Sequence, residues 1–123
     1  MKIISSKAHG VLNYLVGFIL IISPWLFGFA AEGAETAISV ILGIGAILYS
    51  IVTNYELGFF KIIPFKVHLI INTLSGILLA SSPWLFGFAD NIHLPHLVFG
   101  VLEILVVILS KTIPSSAYKK ASA

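Results

Sequence analysis

The sequence predicts an all-α fold: a bundle of four transmembrane helices made from two tandem, parallel two-helix repeats. Three observations predict it: four long apolar stretches, a one-sided distribution of positive charge, and an internal duplication. Of 123 residues, 59% are hydrophobic and 10% are charged. Soluble domains average about 45–50% and about 25%. Too few polar side chains are present to cover a water-facing surface of this size, which leaves lipid as the solvent.

A spanning helix requires about 20 mainly apolar residues. Residues 8–29, 36–55, 64–88 and 95–112 approach this, joined by short polar connections at 30–35, 56–61 and 89–94. Short connections make consecutive helices antiparallel neighbours. The first stretch follows Lys7 and runs through Ser23-Pro24-Trp25. The second leads towards Gly58, a candidate left-handed cap. Pro64 suits the first turn of the third helix. Pro95 suits that of the fourth, with Asp90-Asn91 as cap candidates before it.

The charges agree with these breaks. All seven lysines lie near the N-terminus (Lys2, Lys7), in the middle connection region (Lys61, Lys66) or near the C-terminus (Lys111, Lys119, Lys120). With four spans, these regions share one side. The first and third connections carry only acidic charge: Glu32, Glu35 and Asp90. The positive-inside rule then places both termini in the cytoplasm. The same placement accounts for the net charge of +2 without a nucleic-acid partner.

The duplication appears at a spacing of 59. Ser23-Pro24-Trp25-Leu26-Phe27-Gly28-Phe29-Ala30 recurs as Ser82-Pro83-Trp84-Leu85-Phe86-Gly87-Phe88-Ala89. Upstream, Lys7, His9, Asn13, Leu15 and Gly17 match Lys66, His68, Asn72, Leu74 and Gly76. Repeat 1 covers about 7–58 and repeat 2 about 66–112. In the diverged second helices, Gly43 aligns with Gly100 when two residues are dropped. Two spans per unit give both units one orientation and a pseudo-two-fold axis along the membrane normal. Recurrence of the first segment inside the chain also argues against reading it as a cleaved signal peptide.

With both Ser-Pro-Trp motifs intact, the chain resembles the SPW-repeat family of small bacterial multi-pass membrane proteins. The resemblance implies a multi-pass membrane location and carries over no catalytic residue. The motif itself has a physical reading. Pro24 and Pro83 lack an N–H and should kink or end their helices. Ser23 and Ser82 are placed to bond back to a carbonyl four residues earlier. Trp25 and Trp84 suit the membrane interface, and Gly28 and Gly87 a tight exit. This favours a structural corner with an aromatic anchor over a ligand surface.

Polar groups inside a span are functional candidates. His9, Asn13 and Gly17 share one helix face, and His68, Asn72 and Gly76 repeat it. Such residues mark packed interfaces, so both stripes should face the interior. Glu103, on the face of His96 and Gly100, is the one carboxylate well inside a span. Its repeat-1 equivalent is Ala46. Three readings compete. In the first, these groups are polar glue, each hydrogen bond contributing about 0.6–2 kcal/mol. In the second, Glu103, the asparagines and the histidines form a proton or small-ion relay in a transporter or channel. In the third, His9 and His68 are axial ligands of a haem. His93 and His96 lack a third metal ligand and read as accidental loop histidines; no metal site is expected.

The sequence contains no cysteine, no nucleophile elbow, no phosphate loop and no zinc-protease motif. The expectation is therefore a non-enzymatic structural or accessory component. Its partners are the bilayer and either a second copy or another membrane protein. Ser39, Gly43, Ala46 and Ser50 form a small-residue stripe that either packs inside the bundle or joins two protomers. The polar tail at 113–123 is expected to be disordered.

Overall fold

A computed structural model describes residues 2–30 and 33–113. It contains helices α1 (Ser6–Leu26), α2 (Ala34–Ile51), α3 (Phe65–Leu85) and α4 (Leu94–Leu109). Two short strands, β1 (Thr53–Asn54) and β2 (Ile63–Pro64), pair in parallel between α2 and α3. Of the tail, 114–123 lies outside the described residues, and its expected disorder with it.

Local chemistry explains the boundaries. Ser5 caps α1 by accepting the Ala8 N–H at 3.1 Å, satisfying one of the unpaired donors of the first turn. Helices α1 and α3 both end two residues after their proline, at Leu26 and Leu85. There Gly28 and Gly87 turn left-handed, at φ 74° and 75°. The N–H groups of Phe29 and Phe88 donate to the carbonyls of Pro24 and Pro83, each at 2.8 Å. This is the Schellman arrangement, in which a glycine lets the chain double back on the last turn. Pro24 and Pro83 therefore sit inside the final turn, and the glycines end the helices.

Two expected signals act differently. Helix α2 stops at Ile51, so Gly58 does not cap it. Glycine is needed there because a Cβ would lie 1.7 Å from the Thr53 carbonyl oxygen. Helix α4 is preceded by His93, with no side-chain cap. Asp90 and Asn91 lie in the turn before it.

Helices α1, α2 and α3 are long and apolar enough to cross a membrane, and α4 is a shorter apolar helix. Its 16 residues extend about 24 Å at 1.5 Å per residue. It ends early because Ser110 becomes extended and bridges to Ile4.

The helices pack chiefly in pairs, α1 with α2 and α3 with α4, with lighter contacts between the pairs. Glycine permits close approach within each pair. A Cβ on Gly43 would lie 2.6 Å from the Gly17 oxygen, and one on Gly100 2.4 Å from the Ala80 nitrogen. Gly17 faces Gly43, Ala46 and Ile47; Gly76 faces Gly100, Glu103 and Ile104. The two pairs therefore pack in one register, which bears out the alignment of Gly43 with Gly100. The small-residue stripe Ser39, Gly43, Ala46 and Ser50 is buried against α1.

The connections repeat as well. Ile62 and Ile63 donate N–H to the Val52 carbonyl, and Ile3 and Ile4 to the Leu109 carbonyl. The Thr53–Ile63 pairing thus has its counterpart in the Ile4–Ser110 bridge. Each half ties its leading strand to the end of the other half's second helix, or closes the connection between halves.

Burial is inverted relative to a water-soluble bundle. Aliphatic side chains such as Val11, Leu15, Ile41, Leu48, Ile70, Leu74 and Leu105 are exposed. His9, Asn13, His68, Asn72, His96 and Glu103 are buried. An apolar cluster of Val16, Leu20 and Leu79 fills the middle. Tyr55, Phe65 and Leu69 fill the end where α1 and α3 begin.

Candidate functional site

The interior holds three polar layers. At the end where α1 and α3 begin, His9 and His68 meet edge to face, with ring centroids 5.3 Å apart. The Thr53 hydroxyl donates to the Tyr49 carbonyl, and the Ser110 hydroxyl to the Val106 carbonyl. A hydroxyl has one proton. Each must therefore accept its imidazole contact, so His68 Nδ1–H donates to Thr53 at 2.9 Å and His9 Nδ1–H to Ser110 at 2.8 Å. Thr53 and Ser110 are repeat equivalents, and each histidine bonds the hydroxyl from the other repeat. The tautomer leaves both Nε2 atoms as lone-pair acceptors, buried and without a hydrogen-bond partner.

The next layer lies one helix turn deeper. Asn13 Nδ2 donates to the Ala46 carbonyl at 3.2 Å and to the Ser50 hydroxyl. Asn72 departs from this pattern: its Oδ1 accepts the Tyr49 hydroxyl from the other repeat. Glu103 occupies the position of Ala46. Asn13, Asn72 and Glu103 line a cavity of about 10 Å³ together with Leu12, Val16, Leu102 and Val106. The Oε2 atom of Glu103 is buried and, among the described residues, has no hydrogen-bond partner.

The third layer is the SPW corner. A proline at position i leaves the carbonyl at i−4 without its donor. For Pro24 that carbonyl belongs to Leu20, and for Pro83 to Leu79. The Ser23 hydroxyl lies 2.8 Å from the Leu20 oxygen, and Ser82 donates to the Leu79 oxygen at 2.7 Å. The bond therefore reaches three residues back from serine, not four, because it replaces the donor that proline lacks. In repeat 1 Ser39 also reaches the Leu20 oxygen, at 2.7 Å. Trp25 and Trp84 are exposed, as interfacial anchors require.

His96 is no accidental loop residue. It is buried in the first turn of α4, and Nε2–H donates to the Glu35 carbonyl at 2.8 Å. The repeat-equivalent rings of Phe29 and Phe88 flank it at 5.1 and 4.8 Å. His93 instead lies beside Trp84 and the Ala89 carbonyl. Among the described residues, no group of three or more His, Cys, Asp or Glu is placed to hold a metal ion.

The structure thus brings His9 to His68, and Asn13 and Asn72 to Glu103, while His96 stands apart at the opposite end. Sequence reasoning missed Thr53, Ser110 and Tyr49, which fix the histidines and Asn72. The signal was available for the first two: each hydroxyl ends the apolar run of its repeat's second helix. The haem reading does not fit. The imidazoles contact each other, and Phe65, Tyr49 and Tyr55 pack around them at 4.9–5.7 Å. No gap for a macrocycle remains between the rings. Surface grooves of about 340 and 450 Å³ contain no carboxylate or histidine.

No curated protein and no solved structure matches the chain. The family profile of the SPW repeat domain matches residues 7–110, which includes both motifs, the histidine layer and the Glu103 cavity. Combined with the apolar helices and the inverted burial, that match identifies a membrane protein with several candidate spans, and the chain belongs to the SPW repeat domain family.

Proposed function

We propose that this is a four-span protein of the bacterial inner membrane, with both termini cytoplasmic, acting as a non-enzymatic structural or accessory component. The observation that carries the reading is how the interior polar groups are used. His9, His68, Asn13, Asn72 and His96 all bond to other helices or connections. Such bonds hold a bundle together in lipid, where apolar burial between helices drives little. Helix α4 is short, but both its ends are tied to longer elements, at the Ile4 bridge and at the Glu35 carbonyl. This supports its crossing beside them, with the bilayer locally thinned. The one-sided lysines support the orientation.

An accessory role predicts a partner, either a second copy or another membrane protein. Purification in mild detergent followed by cross-linking and mass spectrometry should recover one defined species at fixed stoichiometry. Recovery of the monomer alone, from cells at native expression, rejects the accessory role.

A second reading is favoured by one atom, the unpartnered Oε2 of Glu103 beside its cavity. It is a small proton- or ion-coupled transporter using that carboxylate. Glu103→Gln should abolish flux in proteoliposomes while the fold is kept. Equal flux in the variant, or none in the wild type, rejects it.

A further inference from the structure

We propose that Glu103, Asn13 and Asn72 form a site for one small monovalent cation, of sodium or lithium size, which exchanges with a proton on Glu103. The proposal names the ligand class for the carboxylate of the second reading above, but binding does not require transport.

At one interior position the repeats differ: Glu103 stands where repeat 1 has Ala46. Gly76 packs on Gly100 and Glu103 as Gly17 packs on Gly43 and Ala46. Glu103 therefore needs no new backbone geometry; it extends a carboxylate into space that its counterpart leaves to Asn13. On the other side, Asn72 is held by Tyr49. Both amides begin seven residues into helices that start at Ser6 and Phe65, and Glu103 lies six residues before Leu109. At 1.5 Å per residue, all three lie about 9–10.5 Å from helix ends on the same side of the bundle. They meet at one depth.

The donor set then selects the ligand. Both Nδ2 contacts of Asn13 are committed to α2, so the atom it can offer a cation is its carbonyl oxygen. Asn72 presents an oxygen already oriented by Tyr49. With Glu103 Oε2, the available atoms are oxygens, which suit hard cations. An ionised carboxylate inside a membrane span needs a compensating charge. Among the described residues no lysine supplies it, because Lys2, Lys7, Lys61, Lys66 and Lys111 all lie at or beyond a helix end. The titratable groups on the facing elements are Tyr49 on α2, His9 on α1 and His68 on α3. Each is hydrogen-bonded as a neutral group. One positive charge balances the site, and two do not. The cavity of about 10 Å³ has room for about one water-sized occupant, and a carboxylate, as a concentrated negative charge, attracts the smaller sodium or lithium more strongly than potassium. Sodium binding releases the proton from Glu103, and proton uptake releases sodium, so charge balances in both states.

The test uses the full chain in detergent micelles at constant ionic strength. Sodium and lithium chloride should raise the midpoint of thermal unfolding relative to potassium and choline chloride. Glu103→Gln should lose the sodium-specific shift. Equal midpoints in sodium and choline overturn the proposal, as does an equal sodium shift in the variant. If the variant does not fold, the wild type decides. A hydrophobic carbodiimide, which modifies protonated carboxyl groups, should label Glu103 in potassium and at least tenfold more slowly in sodium. Equal rates, or no labelling of Glu103 in any salt, overturn it. Sodium protection without flux in proteoliposomes keeps this site and rejects the transport reading. Flux without protection does the reverse.

Discussion

Replacing Ser82 by alanine should destabilise the bundle more than replacing Ser23, although the two serines stand in identical eight-residue segments. Pro83 leaves the Leu79 carbonyl without a backbone donor, and the Ser82 hydroxyl at 2.7 Å replaces it. Ser82→Ala leaves that buried oxygen unpaired, at a cost of about 1–3 kcal/mol. In repeat 1 the Leu20 carbonyl is reached by both Ser23 at 2.8 Å and Ser39 at 2.7 Å. Ser23→Ala keeps one donor and should cost less than about 1 kcal/mol, the net value of an ordinary hydrogen bond. The double variant Ser82→Ala/Pro83→Ala restores a backbone N–H to the Leu79 carbonyl and should recover most of the loss. Reversible unfolding in mixed micelles, titrated with a denaturing detergent, measures all four. Equal losses for Ser23→Ala and Ser82→Ala, or no recovery in the double variant, refute the account of the SPW corner.

Other expectations follow from the same geometry. Gly100→Ala places a methyl 2.4 Å from the Ala80 nitrogen and should cost about 1–3 kcal/mol through overpacking. Gly45→Ala meets nothing within 4 Å and should stabilise by up to about 1 kcal/mol from helix propensity; the same titration compares the two. Thr53→Val removes the acceptor of His68 Nδ1–H. It should cost about 1–3 kcal/mol, and the imidazole proton resonance of His68 should shift. Trp84→Ala, at an exposed ring, should leave unfolding within about 0.5 kcal/mol while weakening retention of the corner at the interface. Depth-dependent quenching of the remaining Trp25 against a Trp25→Ala variant reads that anchor directly.

Much of this was legible in the sequence, because lipid imposes few solutions. The repeat at a spacing of 59 fixed which residues are equivalent. The stripe His9-Asn13-Gly17 pointed inward, since lipid accepts none of its polar groups. What could not be read depended on short-range geometry. Apolar character continues past Ile51, so hydropathy extends α2 too far; α4 also stops short of 112, at Leu109. The chain there turns extended to satisfy the N–H groups of the opposite leading strand. Asp90-Asn91 resembled a cap, yet the Schellman turn after α3 uses the Phe88 carbonyl to bind the Asn91 N–H at 3.0 Å. That holds the pair in the turn. His96 lies inside the apolar stretch 95–112 and on the face of Glu103, yet its spacing from His93 resembled a pair of loop histidines; α4 begins at Leu94 and carries His96 inward. The partners of His9 and His68 lie 101 and 15 residues away, a swap between halves that no local pattern encodes.

The central claim is that two equivalent hairpins stand side by side in lipid with the same orientation. The chain has no cysteine, so single cysteines report position cleanly. Ser5→Cys, Ala30→Cys, Phe60→Cys and Asn91→Cys sample the start of the chain and the three connections in turn. A membrane-impermeant thiol reagent applied to intact cells should label positions 30 and 91. Positions 5 and 60 should react only after permeabilisation. Labelling of 30 and 91 from opposite sides, or of 5 and 60 from opposite sides, contradicts the arrangement of the two repeats.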